Sequence, residues 1–134
     1  MKYYCLQLSD YDCGFACLKM LLSFKLKDKE YLHLKQDIYK GEYSFLDLTL
    51  IAQKNHIILE GYIILNYKDI FSLPCIGIIK KEKYNHYILI TKISKKYVTY
   101  FDPKIGEIVI DKNNFNLLIT GNYLFFKGTD NSFK

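Results

Sequence analysis

The sequence lacks arginine and tryptophan, has only two prolines, and contains no stretch rich in glycine or serine. Its 19 basic residues are all lysines, which outnumber the 14 acidic residues and leave a net charge of +5. Because specific nucleic-acid recognition depends strongly on arginine, we interpret the scattered lysines as a solvated surface and expect no nucleic-acid partner. The absence of repeats and low-complexity segments, with half of the residues hydrophobic, predicts a globular chain.

Long apolar segments are also absent. The longest runs, Ile57 to Leu65 and Leu73 to Ile79, are too short or too interrupted to cross a bilayer, which needs about 20 apolar residues. The start of the chain, Met1 to Gln7, lacks the apolar core and the small-residue cleavage site of a signal peptide. We therefore expect no membrane span in this chain and a cytoplasmic location.

The length of 134 residues suits one domain and leaves no room for a second, since domains typically have about 100–200 residues. We predict that residues 1–127 form this domain. Residues 128–134 are mostly small or polar, so we interpret them as a loose tail or the start of a linker.

Cysteine is present but arranged for neither disulfides nor metal. Because the chain has no export signal, we expect free thiols rather than two disulfides. Cys13 and Cys17 form a single C-x3-C pair with no second pair of ligands nearby, unlike the repeated spacings of structural zinc sites. We therefore expect no metal and no other cofactor.

Periodicity divides the chain into a helical first half and a strand-rich second half. Apolar residues at helical spacing predict helices over 13–25, 30–38 and 44–55, the last one capped by Ser44. Short helical turns are predicted over 67–72 and 111–117, the second capped by Asp111. Helices followed by an antiparallel sheet indicate the α+β class, with the active site between the two layers. Strands are predicted over 57–63, 75–79, 87–93, 97–101, 105–110 and 123–126.

Cys13 is the first candidate catalytic residue, because it lies at the predicted start of the first helix. Asp10 and Asp12 precede this helix, where caps and N-terminal acidic residues belong. Unpaired backbone amides and the positive end of the helix dipole favour a thiolate at such a position. A thiol acts as a nucleophile when a base takes its proton, a third group orients the base, and donors meet the developing oxyanion. A buried, inert cysteine is the alternative interpretation.

His86 and Asp102 are the candidate base and orienting carboxylate. We predict that their strands form a hairpin with the loop Ser94-Lys95-Lys96, in which Ile93 pairs with Tyr97 and Ile88 with Asp102. His86 would then be a diagonal neighbour of Asp102 on the same face, at about 7–8 Å between backbones. One ring nitrogen would bind the carboxylate and the other would face the sulfur. A simple Asp-Pro turn is the alternative for Asp102.

Gln7 lies six residues before Cys13, close enough for its side-chain amide to complete an oxyanion hole with the Cys13 backbone amide. By itself, a glutamine in a loop would not indicate an oxyanion hole. Three further cysteines are interpreted as core residues (Cys5, Cys17, Cys75), and two histidines as surface or capping residues (His33, His56).

The run from Gln7 to Cys17 resembles the signature of the cysteine peptidase domains of peptidase-containing ABC transporters, which process bacteriocin precursors. That signature has a glutamine, an acidic residue, Cys-Gly and a second cysteine four residues after the first. Asn85-His86-Tyr87 and Asp102-Pro103 resemble the family's His-Tyr and Asp-Pro blocks, in the same order and at similar spacing. The resemblance covers nearly the whole chain.

The resemblance implies a papain-like fold, a catalytic triad of Cys13, His86 and Asp102, and Gln7 in the oxyanion hole. It also implies a substrate, namely a peptide precursor whose helical leader is cleaved after Gly-Gly or Gly-Ala during ABC-transporter export. A transporter, fused or separate, would be the partner and would place the domain at the cytoplasmic face of the membrane. The chain has no G-x4-G-K-[ST] phosphate loop, so we interpret it as an excised transporter domain or a stand-alone relative.

Two other functions remain open at this stage. The chain could be a module of the same fold that docks an export substrate without cleaving it. It could also be another acyl-transfer enzyme, such as a transpeptidase or a deamidase, that uses the same triad on a different substrate. The presence of all four site residues favours the endopeptidase.

Overall fold

Helices occupy mainly the first half of the chain and strands the second half, as predicted. A computed structural model describes residues 2–35, 42–82 and 84–130. The helices are α1 (Cys13–Leu26), α2 (Phe45–Lys54) and α3 (Lys112–Leu118), and two short 3-10 helices span Lys29–His33 and Tyr67–Asp69. The strands are β1 (Ile57–Ile63), β2 (Cys75–Lys80), β3 (Asn85–Ile93), β4 (Tyr97–Asp102), β5 (Gly106–Asp111) and β6 (Ile119–Thr129).

The six strands form one antiparallel sheet in the order β1-β6-β2-β3-β4-β5. Helices α1 and α2 cover one face, where α1 packs on β2 and β3 and α2 packs on β1. The other face is covered by α3 and by the segment around Tyr67. The sheet therefore lies between two apolar layers, which agrees with the predicted α+β class.

Helix α1 is the central helix of the fold. Every residue from Gly14 to Ser23 is buried, so the helix has no solvent-facing stripe, unlike an amphipathic surface helix. Lys19 is only 6% exposed, and its ammonium lies 5.2 Å from the centre of the Phe15 ring. This cation–π contact partly compensates for the loss of water around the charge.

Two predicted helix caps are confirmed. The Ser44 hydroxyl accepts a hydrogen bond from the Asp47 amide at 3.0 Å, and the Asp47 carboxylate accepts one from the Ser44 amide at 2.8 Å. This reciprocal capping box begins α2. At α3, the Asp111 carboxylate accepts a hydrogen bond from the Asn114 amide at 2.9 Å.

The helix predicted over 30–38 is wrong for its described part. The structure has a 3-10 helix at Lys29–His33, and Leu34 then has a backbone ψ of 136°. None of the residues in this 3-10 helix is fully buried, although its apolar side chains and that of Leu34 pack partly against the core. The backbone leaves the helical conformation at Leu34, which ends the helix. Residues 36–38 of the prediction lie outside the described residues.

Strand β6 is much longer than the predicted segment 123–126. It begins at Ile119 and pairs with both β1 and β2. Gly77 pairs with Tyr123 while Ile79 pairs with Ile119, so a bulge around Gly121, which has a φ of +98°, interrupts the pairing with β2. The Thr-Gly-Asn sequence indicates a turn, but pairing on both sides continues the strand.

The predicted end of the domain at residue 127 stays a prediction. Strand β6 continues to Thr129, and the Asp130 amide donates a hydrogen bond to the His56 carbonyl at 2.6 Å. Residues 131–134 of the predicted tail lie outside the described residues.

The core under α3 generates a stability prediction. The Phe115 side chain is completely buried and makes edge-to-face contact with Tyr67. We expect Phe115→Ala to lower the free energy of unfolding by about 3–5 kcal/mol, because it leaves a cavity between α3 and the sheet. Leu117→Ala is the control on the same helix, since Leu117 is 72% exposed, and it should change this free energy by about 0.5 kcal/mol or less. Urea unfolding measures both; equal losses would contradict the assigned core.

Candidate active site

The β3–β4 hairpin brings the candidate base and its orienting carboxylate together. His86 is the second residue of β3 and Asp102 is the last residue of β4. The His86 Nε2 atom lies 2.6 Å from Asp102 Oδ1, and the two residues are 2% and 1% exposed. A buried, charge-assisted hydrogen bond of this length fixes the plane of the imidazole ring.

The hairpin register agrees with the prediction near the site and differs from it near the loop. Leu89 pairs with Phe101, as the predicted pairing of Ile88 with Asp102 requires. An irregularity between Ile90 and Lys92 then shifts the pairing by one residue, so the predicted pair of Ile93 with Tyr97 is wrong. The bulge lies on the loop side of the pairs nearest the site and therefore leaves the position of His86 unaffected.

Cys13, the first residue of α1, is partly exposed and lies beside His86, whose pKa it helps to raise. Since Nε2 is bound to Asp102, the Nδ1 atom of His86 is the nitrogen that remains for the thiol. The Cys13 backbone amide lies in the first turn of α1, where helix amides have no partner within the helix. The structure thus places a thiol, an imidazole and a carboxylate in one row, here named the hydrogen-bonded row after the bond between His86 and Asp102.

The electrostatics of this row favour a charged imidazole. Burial lowers the pKa of His86, but the hydrogen bonds and negative charges of Asp102 and Cys13 outweigh this effect and raise it from 6.5 to about 9. Burial raises the pKa of Asp102, whereas the hydrogen bonds from His86 and the Lys104 amide, with the charges of His86 and Lys81, hold it below its usual value. At neutral pH the pair is therefore an imidazolium bound to a carboxylate.

Lys81 is a site residue that the sequence analysis missed. Its ammonium lies 3.5 Å from Asp102 Oδ2, while Oδ1 accepts the bonds from His86 and from the Lys104 amide. By sequence this lysine belongs to the solvated surface, because it stands in a lysine-rich run with Lys80 and Lys83. Its position in the turn directly before β3, the strand that carries His86, was the feature of the sequence that could have indicated a place near the site.

Gln7 is joined to the same hairpin through its backbone. The Gln7 amide donates a hydrogen bond to the carbonyl of Pro103, the residue after Asp102, at 2.8 Å. The Gln7 side-chain nitrogen donates to the Ser9 carbonyl at 2.7 Å, while its side-chain oxygen is buried without a partner in the described part of the chain. The structure therefore places the predicted oxyanion residue beside the turn that follows Asp102, the candidate orienting carboxylate.

Asp12 does not cap α1 through its side chain, contrary to the expectation from its position. Its backbone carbonyl accepts a hydrogen bond from the Ala16 amide, but the side chain makes no cap bond. The carboxylate instead folds back along the chain and accepts hydrogen bonds from the Leu8 and Ser9 amides at 3.0 and 2.8 Å. Asp12 thus organises the loop between Gln7 and Cys13.

A cleft of about 360 Å³ opens beside Cys13. Gly14 lies where the Tyr87 ring packs against α1, and a methyl group on Gly14 would lie 2.6 Å from that ring. Close approach of the helix and the strand at the site therefore requires glycine at this position. The lining residues are Asp10, Tyr11, Cys13, Gly14, Glu42, Tyr43, Ile78, Tyr84, Asn85 and Tyr87.

The remaining cysteines and histidines lie away from the hydrogen-bonded row. All four cysteines are free thiols. Burial raises the pKa of Cys5 and Cys17 and raises that of Cys75 to about 12, so these thiols are protonated and inert at neutral pH. His33 and His56 are exposed. Among residues 2–35, 42–82 and 84–130, no cluster of three His, Cys, Asp or Glu side chains could hold a metal ion.

Comparison with known protein families identifies the chain. The model of the Peptidase C39 family matches residues 1–131. The chain belongs to the Peptidase C39 family. It is therefore a cysteine peptidase domain, as the resemblance in the sequence indicated.

Curated relatives of this C39 peptidase domain are much longer proteins. It is 33% identical over 122 residues to the SPbeta prophage-derived sublancin-168-processing and transport ATP-binding protein of Bacillus subtilis (strain 168). It is 28% identical over 137 residues to the lacticin-481/lactococcin-DR transport/processing ATP-binding protein of Lactococcus lactis subsp. lactis. These matches cover 85% and 96% of this chain but only 17% and 19% of the two relatives.

Solved structures confirm the papain-like α+β fold of this C39 peptidase domain. It superposes with a TM-score of 0.76 on a double glycine motif protease from an AMS/PCAT transporter in complex with the leader peptide, at 25% identity, covering 94% of this chain and 91% of the other. The peptidase domain of Streptococcus ComA, a bi-functional ABC transporter involved in quorum sensing, gives a TM-score of 0.77 at 18% identity, covering 96% and 100%. No described helix is long and apolar enough to cross a membrane.

The contact between Gly14 and Tyr87 generates a stability prediction. We expect Gly14→Ala to lower the free energy of unfolding by about 1–3 kcal/mol, because the added methyl group overlaps the Tyr87 ring and displaces it. Gly128→Ala is the matched control, since a methyl group there would meet no atom within 4 Å. Urea unfolding measures the free energy of unfolding of both variants. A Gly14→Ala variant as stable as the wild type would show that the contact between Gly14 and Tyr87 is looser than described.

The His86–Asp102 bond generates a prediction about pH. In Asp102→Asn, the negative charge that stabilises the imidazolium is absent, so the pKa of His86 should fall from about 9 toward 6.5. NMR titration of the His86 ring measures this change, with the exposed His33 ring as an internal reference. Because the folded-state pKa is raised, the stability contributed by His86 is fully present below about pH 6.5 and is lost as the pH rises through about 9. This loss should be smaller in the variant, and an unchanged His86 titration would contradict the assigned bond.

Proposed function

We propose that this C39 peptidase cleaves the leader peptide of bacteriocin-like precursors after a Gly-Gly or Gly-Ala pair, in step with ABC-transporter export. Cys13 is the nucleophile, His86 the general acid and base, Asp102 the orienting carboxylate and Gln7 an oxyanion donor. The observation that carries this proposal is the buried His86 ring, bonded through Nε2 to Asp102 at 2.6 Å, with Cys13 beside it at the start of α1.

The first half of the reaction forms a thioester. The Cys13 thiolate attacks the carbonyl carbon after the second small residue, and the carbonyl oxygen becomes an oxyanion that accepts hydrogen bonds from the Cys13 backbone amide and the Gln7 side-chain amide. Collapse of this intermediate breaks the peptide bond. The leaving amine takes its proton from the His86 imidazolium, whose raised pKa keeps that proton available at neutral pH.

The second half of the reaction releases the leader. His86, now neutral, takes a proton from a water molecule that attacks the thioester carbonyl. The C–S bond breaks, the leader leaves with a free carboxylate, and the thiolate–imidazolium pair is restored. Asp102 stays ionised throughout and holds the ring in place, as the orienting carboxylate of a triad does.

The shape of the cleft supports small residues before the scissile bond. The Tyr87 ring packs directly against Gly14, and Tyr43 and Tyr84 line the same cleft beside Cys13. Large, rigid rings at these positions leave little width next to the nucleophile. Two residues with no side chain or a methyl group fit such a passage more readily than bulky residues do.

The comparisons support the choice of substrate and partner. The similar solved structure at 25% identity is a double glycine motif protease in complex with a leader peptide, and the curated relatives are processing and transport ATP-binding proteins. A helical leader binds through apolar anchors spaced along one face. We extend these properties to this chain as the expected substrate and as a partnership with an ABC transporter at the cytoplasmic face of the membrane.

The test is cleavage of leader–core peptides that differ only at the pair before the scissile bond. We expect mass spectrometry to show cleavage directly after Gly-Gly and Gly-Ala, little cleavage after bulkier pairs, and none by Cys13→Ala, because this variant lacks the only nucleophile of the row. Cys5→Ala removes a nearby thiol outside the row and should retain cleavage.

Two results would change the proposed function. Peptides that bind but stay intact in the presence of the wild-type protein would indicate a docking module of the same fold. Release of a product other than the free leader acid, such as a leader joined to an added amine, would indicate a transpeptidase or another acyl-transfer enzyme.

A further inference from the structure

We propose that Asp12 is a positioning residue for the oxyanion hole, acting through the segment Gln7 to Asp12, here named the oxyanion loop. The inference rests on the proposed function, because the oxyanion exists only if Cys13 attacks a carbonyl. It goes further by assigning a role to a buried carboxylate whose hydrogen bonds go to Leu8 and Ser9 and to none of the three residues of the hydrogen-bonded row in the described structure.

Asp12 is unusual in being an almost fully buried carboxylate in a short loop. It is only 4% exposed. Its carboxylate accepts hydrogen bonds from the Leu8 amide at 3.0 Å, the Ser9 amide at 2.8 Å and the Ser9 hydroxyl at 3.1 Å. Such bonds offset the cost of burying the charge. Three donors from two successive residues therefore converge on one side chain and fix the curvature of the oxyanion loop.

The held loop in turn fixes the Gln7 side chain. The Gln7 side-chain nitrogen donates one hydrogen to the Ser9 carbonyl at 2.7 Å, and Ser9 is the residue whose amide and hydroxyl are bound to Asp12. This bond determines which end of the Gln7 amide is the donor, since the reversed orientation would bring two oxygens together. The second hydrogen of the same nitrogen is left for the oxyanion.

Both ends of the oxyanion loop are tied to the catalytic residues. At one end, the Gln7 amide donates to the Pro103 carbonyl at 2.8 Å, directly after Asp102. At the other end, the Asp12 carbonyl accepts the Ala16 amide at 2.9 Å and begins the helix that carries Cys13. The oxyanion donor is thereby held in one frame with both the nucleophile and the triad carboxylate.

An aspartate is needed because both carboxylate oxygens accept from backbone amides. In Asp12→Asn, one of these oxygens becomes an NH2 group that faces an amide N–H, so at least one of the two backbone bonds is lost. The side chain keeps nearly the same volume, and the substitution therefore tests the hydrogen bonds rather than the packing. Asp69→Asn is the control, since Asp69 is exposed, lies outside both the oxyanion loop and the cleft, and loses the same charge.

The experiment compares peptide cleavage with alkylation of Cys13 by iodoacetamide. Alkylation needs the thiolate but no oxyanion hole, so it separates positioning of the oxyanion donor from damage to the Cys13–His86 pair. We expect Asp12→Asn to lower kcat more than tenfold on a Gly-Gly peptide, while KM and the alkylation rate stay within about twofold of wild type. For comparison, loss of a whole oxyanion donor lowers kcat by about 100- to 1,000-fold. Asp69→Asn should match wild type in all three quantities.

A double variant tests whether Asp12 acts through Gln7. If it does, Asp12→Asn combined with Gln7→Ala should be no slower than Gln7→Ala alone, since the donor that Asp12 positions is already absent. Should Asp12→Asn fail to fold, Ser9→Ala removes the hydroxyl that donates to Asp12 and that also accepts a hydrogen bond from the Tyr11 amide within the same loop. It should lower kcat by about two- to tenfold with unchanged alkylation.

Three outcomes would overturn the inference. Asp12→Asn could cleave at the wild-type rate, it could lose alkylation in parallel with cleavage, or its effect could multiply with that of Gln7→Ala. In each of these outcomes the wild-type protein still cleaves the peptide, so the proposed function stands. A wild-type protein that cleaves no peptide would overturn the proposed function and this inference together.

Discussion

The active site depends on the buried hydrogen bond between His86 Nε2 and Asp102 Oδ1, which joins the start of β3 to the end of β4. Removal of either partner would leave a polar group unsatisfied in a site that is almost closed to water. The bond orients the ring, raises the pKa of His86 and leaves one nitrogen for Cys13. The antiparallel pairing of the hairpin sets its geometry, and the packing of α1 on β3 brings the thiol to it.

Two further interactions stabilise the surroundings of this bond. Lys81 approaches the second oxygen of Asp102 from the turn before β3, so the carboxylate has positive charge on two sides. Asp12 ties down the oxyanion loop, and the Gln7 amide connects that loop to Pro103. Both interactions use charge-assisted or backbone hydrogen bonds in a mostly buried environment, where such bonds are strongest.

Local signals predicted the elements and the row of catalytic candidates well. The capping residues Ser44 and Asp111, the apolar run of α1 and the β-branched strands all act over a few residues, and the structure confirms them. The predictions failed where residues that are distant in sequence determine the local structure. In the described part of the segment 30–38, the backbone leaves the helical conformation at Leu34 and the side chains pack only partly against the core. Strand β6 continues through Thr-Gly-Asn because strands pair with it on both sides.

The sequence by itself determined the chemistry available to the candidate site, since Gln7, Cys13, His86 and Asp102 are residue types with defined acid–base and hydrogen-bonding properties in a recognisable order. The pairing predicted next to the site agrees with the structure and the pairing predicted at the loop does not, because an irregularity between Ile90 and Lys92 shifts the register by one residue. Only the tertiary structure decided which other charges act on the row. Lys81 and Asp12 are ordinary surface and cap residues by sequence, and their roles follow from approaches between segments that local propensity does not describe.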